Sequence, residues 1–76
     1  MPRITPIHYK KLMRVFEEAG FHVTRTKGDH VVMVKTKSPR PLVIPKRENV
    51  PVFIIKNNLR SAGLTREQFF EILAKV

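Results

Sequence analysis

The chain contains no cysteine and no tryptophan. Without cysteine, neither disulfides nor thiolate metal sites can reinforce it. At 76 residues it has room for one domain, residues 1–76, burying about 60% of the surface its unfolded form exposes. A core of that size is marginally stable, and the missing disulfides fit a reducing compartment, so the expected location is cytoplasmic. Long apolar runs are also lacking. The longest, Val31–Val34 and Val52–Ile55, fall far short of the ~20 residues a membrane-spanning helix needs, which excludes a membrane protein of that kind. The stretch Met1 to Pro6 has no apolar segment of signal-peptide length, so no export signal is expected. Acidic side chains number six and are scattered, and no two histidines share ligand spacing such as i, i+4. That pattern predicts no metal and no cofactor.

What the chain does have is positive charge. Fifteen Lys and Arg against six acids give a formal net charge of +9. Its distribution is uneven. Between Arg25 and Arg60, nine cations (Arg25, Lys27, Lys35, Lys37, Arg40, Lys46, Arg47, Lys56, Arg60) face only Asp29 and Glu48, so this stretch carries +7 of the total. A cluster of this kind attracts a polyanion at long range and releases counterions on contact, which makes nucleic acid the expected partner. A merely solubilising surface requires neither the excess nor the clustering. With 42% hydrophobic residues the chain can still assemble a core rather than remain disordered.

The apolar pattern gives an order of elements. Thr5 before Pro6 reads as an N-cap with proline at the first helical position, and Gly20 as a left-handed stop, which predicts a helix over 6–19. Leu12, Val15, Phe16 and Ala19 keep the i, i+3, i+4, i+7 spacing of its buried stripe. Residues 21–27 alternate apolar or β-branched with polar residues, Gly28-Asp29 is turn chemistry, and 30–35 is valine-rich, which together predict a β-hairpin. After a turn over 36–40, a short third strand runs over 42–44 and closes at Pro45. Val31 to Val34 puts apolar side chains on both faces of the middle strand, which leaves one face for a partner. Val52, Ile55, Leu59 and Ala62 predict a second helix ending at Gly63. Thr65 and Gln68 form a capping box for a third, with Phe69, Ile72, Leu73 and Val76 on its apolar side. The fold class is α+β: a helix, a three-stranded antiparallel sheet, then one or two C-terminal helices.

Four stretches resemble a known family: Glu18-Ala19-Gly20-Phe21, Lys27-Gly28-Asp29-His30, Val43-Ile44-Pro45-Lys46, and Leu59 through Phe69. The chain resembles HicA-type toxins, small basic mRNA interferases with a double-stranded-RNA-binding-like fold. The resemblance implies a toxin of a type II toxin–antitoxin system that cuts mRNA without metal, and a HicB-type antitoxin partner that covers the active surface. It places the family's catalytic histidine at His30. Two positions depart from the family pattern: Asp29 stands where serine is common, and Arg47 where a second histidine often follows the proline and a basic residue. Asp29 sets a negative charge beside the histidine in sequence, while strand alternation would turn the two side chains to opposite faces.

The chemistry of RNA cleavage asks for a base to take the 2′-hydroxyl proton, an acid for the leaving 5′-oxygen, and cations for the charge building on phosphorus. Histidine titrates near neutrality and suits either proton-transfer role; Lys and Arg suit the third. His30 is the expected catalytic residue, and Lys27, Lys35, Lys37, Arg40, Lys46 and Arg47 are the expected RNA-binding residues. The second proton-transfer group is not identifiable from spacing, since His8 reads as a partly buried residue near the helix cap and His22 as a polar position on an edge strand. Phe53, Phe69 and Phe70 read as core or partner contacts, and Tyr9 is the one aromatic expected to be exposed. The plainer reading of His30 is a surface residue flanking a turn, in which case the chain is a non-catalytic RNA-binding module of the same fold.

Overall fold

In the computed structural model, which describes residues 3–76, the elements follow in the expected order. Helix α1 spans Tyr9–Glu18, strands β1, β2 and β3 span His22–Lys27, His30–Val34 and Leu42–Pro45, and helices α2 and α3 span Val52–Ala62 and Arg66–Leu73. The strands form one antiparallel sheet in the order β1-β2-β3. Met1 and Pro2 of the N-terminal reading lie outside the described residues. Among the described residues, no helix is long and apolar enough to cross a membrane.

The stripes read from sequence build the core. Leu12, Val15 and Phe16 of α1, Ile55 and Leu59 of α2 and Phe69 of α3 are buried together with Val31, Met33, Leu42 and Ile44 from one face of the sheet. Phe16 meets Phe21 edge to face, with ring centroids 6.0 Å apart, a geometry that aromatic quadrupoles favour. The opposite face of β2 carries the half-buried Val32 and Val34, beside the exposed Val43. Gly63 takes a left-handed conformation (φ 73°) after α2, and Thr65 and Gln68 close the capping box of α3.

Four expectations change here. The first helix starts at Tyr9, and its cap is His8, whose Nδ1 accepts from the Lys10 backbone N–H at 3.1 Å. Thr5 and Pro6 do not cap it. The reason is tertiary: Ile7 pairs as an isolated β-bridge with Val50, whose N–H donates to the Ile7 carbonyl at 2.7 Å, and this holds the segment extended. His8 is therefore exposed, and it stacks on a half-buried Tyr9 that packs against the core. The exposed aromatic is Phe53, at 66%. In β1, alternation does not become burial, because every residue of this edge strand is exposed and a register shift between Val23 and Arg25 re-aims its side chains.

The edge at β3 is protected. Asn58, the buried polar residue of α2, donates its Nδ2 amide to the Val43 carbonyl at 3.4 Å, so Val43 turns its backbone polar groups outward from the sheet. Pro41 and Pro45, two positions away on either side, share that direction by the period of the strand and carry no N–H. Prolines and one side-chain amide thus blunt an edge that could template further pairing.

Candidate functional site

The β1–β2 hairpin sets the geometry. Lys27 and His30 are cross-strand partners around the two-residue loop Gly28-Asp29, in which only Gly28 has positive φ (59°), as a type II′ turn requires. Asp29 therefore belongs to the turn rather than the strand, and strand alternation does not separate it from its neighbour. Its Oδ1 lies 2.9 Å from Nδ1 of His30, with the two side chains 83% and 48% exposed. An ionised carboxylate accepts only, so Nδ1 is the donor in this contact and Nε2 is the ring nitrogen left facing away from Asp29. Nε2 has no partner among the described residues.

The far side of the site is tied down by backbone bonds. The Lys46 N–H donates to the Asp29 carbonyl at 2.7 Å, joining the end of β3 to the turn, and the Tyr9 N–H donates to the Arg47 carbonyl at 3.0 Å, joining the following loop to α1. Lys46 and Arg47 are both exposed on this fixed backbone. An open groove of about 400 Å³ runs from there between β3 and α2, and it is lined by His30, Val43, Pro45, Arg47, Asn57, Asn58 and Ser61, with Pro41 and Ile54.

The six expected RNA-binding cations divide into two groups. Lys27 pairs with His30 across the hairpin, Lys46 follows Pro45, the partner of His30 on β3, and Arg47 lines the groove with His30. Lys35, Lys37 and Arg40 lie at the opposite end of β2 and in the turn after it, where they line a second cleft of about 510 Å³. Of these, Lys35 is partly engaged elsewhere: its Nζ sits 5.7 Å from the centroid of the Phe21 ring, a cation–π contact. Arg60, which charge counting included but the candidate set did not, lines the second cleft with them. Its position on α2 had no signal in the sequence pointing toward the strand turn. Among the described residues, no three His, Cys, Asp or Glu side chains gather as a metal site would require.

Residues 9–64, which hold the hairpin, His30 and both clefts, match the family model described as HicA toxin of bacterial toxin-antitoxin. The chain belongs to the HicA toxin family. It is accordingly a toxin-type member of a toxin–antitoxin pair. No curated protein matches the chain. The HicA match covers α1, the whole sheet and α2, and stops before α3.

Proposed function

We propose that this HicA-family protein is a metal-independent mRNA endoribonuclease, with His30 as a proton-transfer group and a HicB-type antitoxin as the partner that holds it in check. The observation that carries the reading is the pairing of His30 with Asp29 at the mouth of a groove edged by Arg47 and flanked by Lys27 and Lys46. Asp29 orients the ring, as a carboxylate beside a catalytic imidazole does, and leaves Nε2 for the substrate. In the proposed step Nε2 takes the proton of the 2′-hydroxyl, the 2′-oxygen bonds to phosphorus, and the bond from phosphorus to the 5′-oxygen breaks. The leaving 5′-oxygen takes up a proton from solvent water, and the product is a 2′,3′-cyclic phosphate. Lys27, Lys46 and Arg47 stabilise the charge on the phosphoryl oxygens. Arg47, standing where the family often has a second histidine, supplies a permanent cation there rather than a second proton carrier.

The test is decay of a labelled RNA in EDTA with wild type and His30→Ala side by side, each shown folded by circular dichroism. The expected result is cleavage by wild type, loss of cleavage with retained binding in the variant, and no cleavage at a 2′-deoxy substituted position. Equal binding by both proteins with cleavage by neither would reject the ribonuclease reading in favour of a non-catalytic RNA-binding module.

A further inference from the structure

The cleft at the far end of the sheet takes no part in the proposed chemistry. It is formed where the β2–β3 turn meets the C-terminal end of α2, and four of its lining residues are cations: Lys35, Lys37, Arg40 and Arg60. None of its lining residues is acidic. Lys37, Arg40 and Arg60 have no carboxylate partner among the described residues. Like charges gathered without counter-charges repel one another, so the arrangement detracts from the stability of the free protein.

Two more observations give this cleft a direction and a purpose. Ser61 lines both it and the groove that holds His30, so the two openings adjoin at that residue of α2. Lys37 is the one non-glycine residue with positive φ (70°) among the described residues. It sits inside a turn closed by the Ser38 N–H donating to the Lys35 carbonyl at 3.0 Å. That conformation costs an L-residue roughly 1 kcal/mol and is ordinarily given to glycine. Lysine stands there at some expense of stability, as residues at binding sites often do. The plainer reading of Arg60, that a cation in the last turn of α2 complements the helix dipole, accounts for one of the four charges and for none of the turn's strain.

We propose that this cleft is a second phosphate-binding subsite, which grips the backbone of single-stranded RNA a few nucleotides away from the phosphodiester at His30. The proposal rests on the reading of RNA as the ligand and deepens it. From His30 to Lys35, β2 advances about 17 Å at ~3.4 Å per residue, a span that an extended single strand covers in a few nucleotides. The strand enters at the Lys37–Arg60 cleft, crosses Ser61, where the two openings adjoin, passes Asn57, and presents one phosphate to His30 and Arg47. Contact with the backbone alone is independent of sequence, so the subsite sets a minimum substrate length rather than a sequence preference.

The experiment compares Lys37→Gly, Arg60→Gln and the double variant, all in the full chain. Binding of a fluorescent trinucleotide and of an unstructured decanucleotide is measured in EDTA in a His30→Ala background, and cleavage of the same RNAs with His30 intact. The decanucleotide is expected to bind more tightly than the trinucleotide. The double variant is expected to lose roughly tenfold in affinity for the longer strand only, with a salt slope shallower by about 0.7 for each phosphate contact removed. Glycine accepts the turn's conformation, so the melting temperature of Lys37→Gly stays the same or rises, which separates a binding role from a structural one. Unchanged binding of the decanucleotide, or equal weakening for both lengths, would overturn the subsite. If wild type cleaves and the variants bind and cut as it does, only the subsite fails. If no protein cleaves but the length-dependent loss is seen, only the ribonuclease reading fails. Binding of neither length overturns both.

Discussion

The carboxylate of Asp29 lies 2.9 Å from Nδ1 of His30, although the two are neighbours in sequence. The type II′ turn makes this contact available, because it ends one residue before the strand begins and leaves Asp29 outside the alternation that starts at His30. Under the proposed ribonuclease function, this one residue would have two opposed effects on RNA: it would orient the imidazole, and it would add a negative charge near the phosphates. The kinetics should separate them.

Replacing Asp29 with alanine is expected to lower kcat for RNA cleavage by about tenfold or more, since an unoriented acid–base group loses part of its contribution. KM is expected to fall as well, because a charge that repels the substrate is gone. Steady-state kinetics on one labelled RNA measure both. A rise in kcat alongside the fall in KM would mean that the carboxylate acts on the RNA by repulsion alone.

Lys46→Ala and Arg47→Ala are each expected to weaken RNA binding at every sequence tested and to make the salt dependence shallower by about 0.7 in log–log slope, the share of one single-strand phosphate. Fluorescence anisotropy between low and moderate salt reads this directly. Since both side chains are exposed, thermal stability should hardly change. A loss of affinity confined to particular sequences would point to base contacts instead.

Asn58→Ala removes the donor that meets the Val43 carbonyl, leaving a partly buried acceptor unsatisfied. The expected cost is about 1–3 kcal/mol, seen as a lower urea midpoint with an unchanged slope. The bared β3 edge should also raise the tendency to aggregate, which light scattering on heating would register.

Phe16→Ala opens a cavity at a fully buried position between α1 and Phe21, at a cost of about 3–5 kcal/mol. A chain of this length has a total stability of about 4–11 kcal/mol, so the variant loses from about a quarter to all of it and should melt well below wild type. Circular dichroism would show it. A native spectrum with a small shift in melting temperature would mean that the core around Phe16 can collapse to fill the space.

Much of this protein is legible from local pattern. The bounds of α2, with Gly63 beyond its end, and the capping box of α3 follow from spacing and from the chemistry of single residues. Those signals act within a few residues of one another and face little competition. Thr5-Pro6 is an equally good local signal that fails, because the bridge between Ile7 and Val50 outweighs the advantage of starting a helix one turn earlier. Charge counting marked the middle of the chain as the polyanion-binding part, but it could not divide the cations. Lys27 and Lys35 look alike in sequence, yet Lys27 ends β1 opposite His30, whereas Lys35 follows the far end of β2.

What the sequence determined by itself is therefore the order of elements, the buried stripes, the net charge and the histidine at the start of β2. These depend on propensity, periodicity and composition, all of which are local or additive. The tertiary structure alone decided that Asp29 touches His30, that Arg47 shares a groove with it, and that Arg60 joins Lys37 and Arg40 across the gap between α2 and the β2–β3 turn. Each of these depends on a turn type or on the packing of a helix against a strand edge. Such relationships join residues distant in the chain, or reverse the direction of neighbours, and no pattern along the sequence carries them.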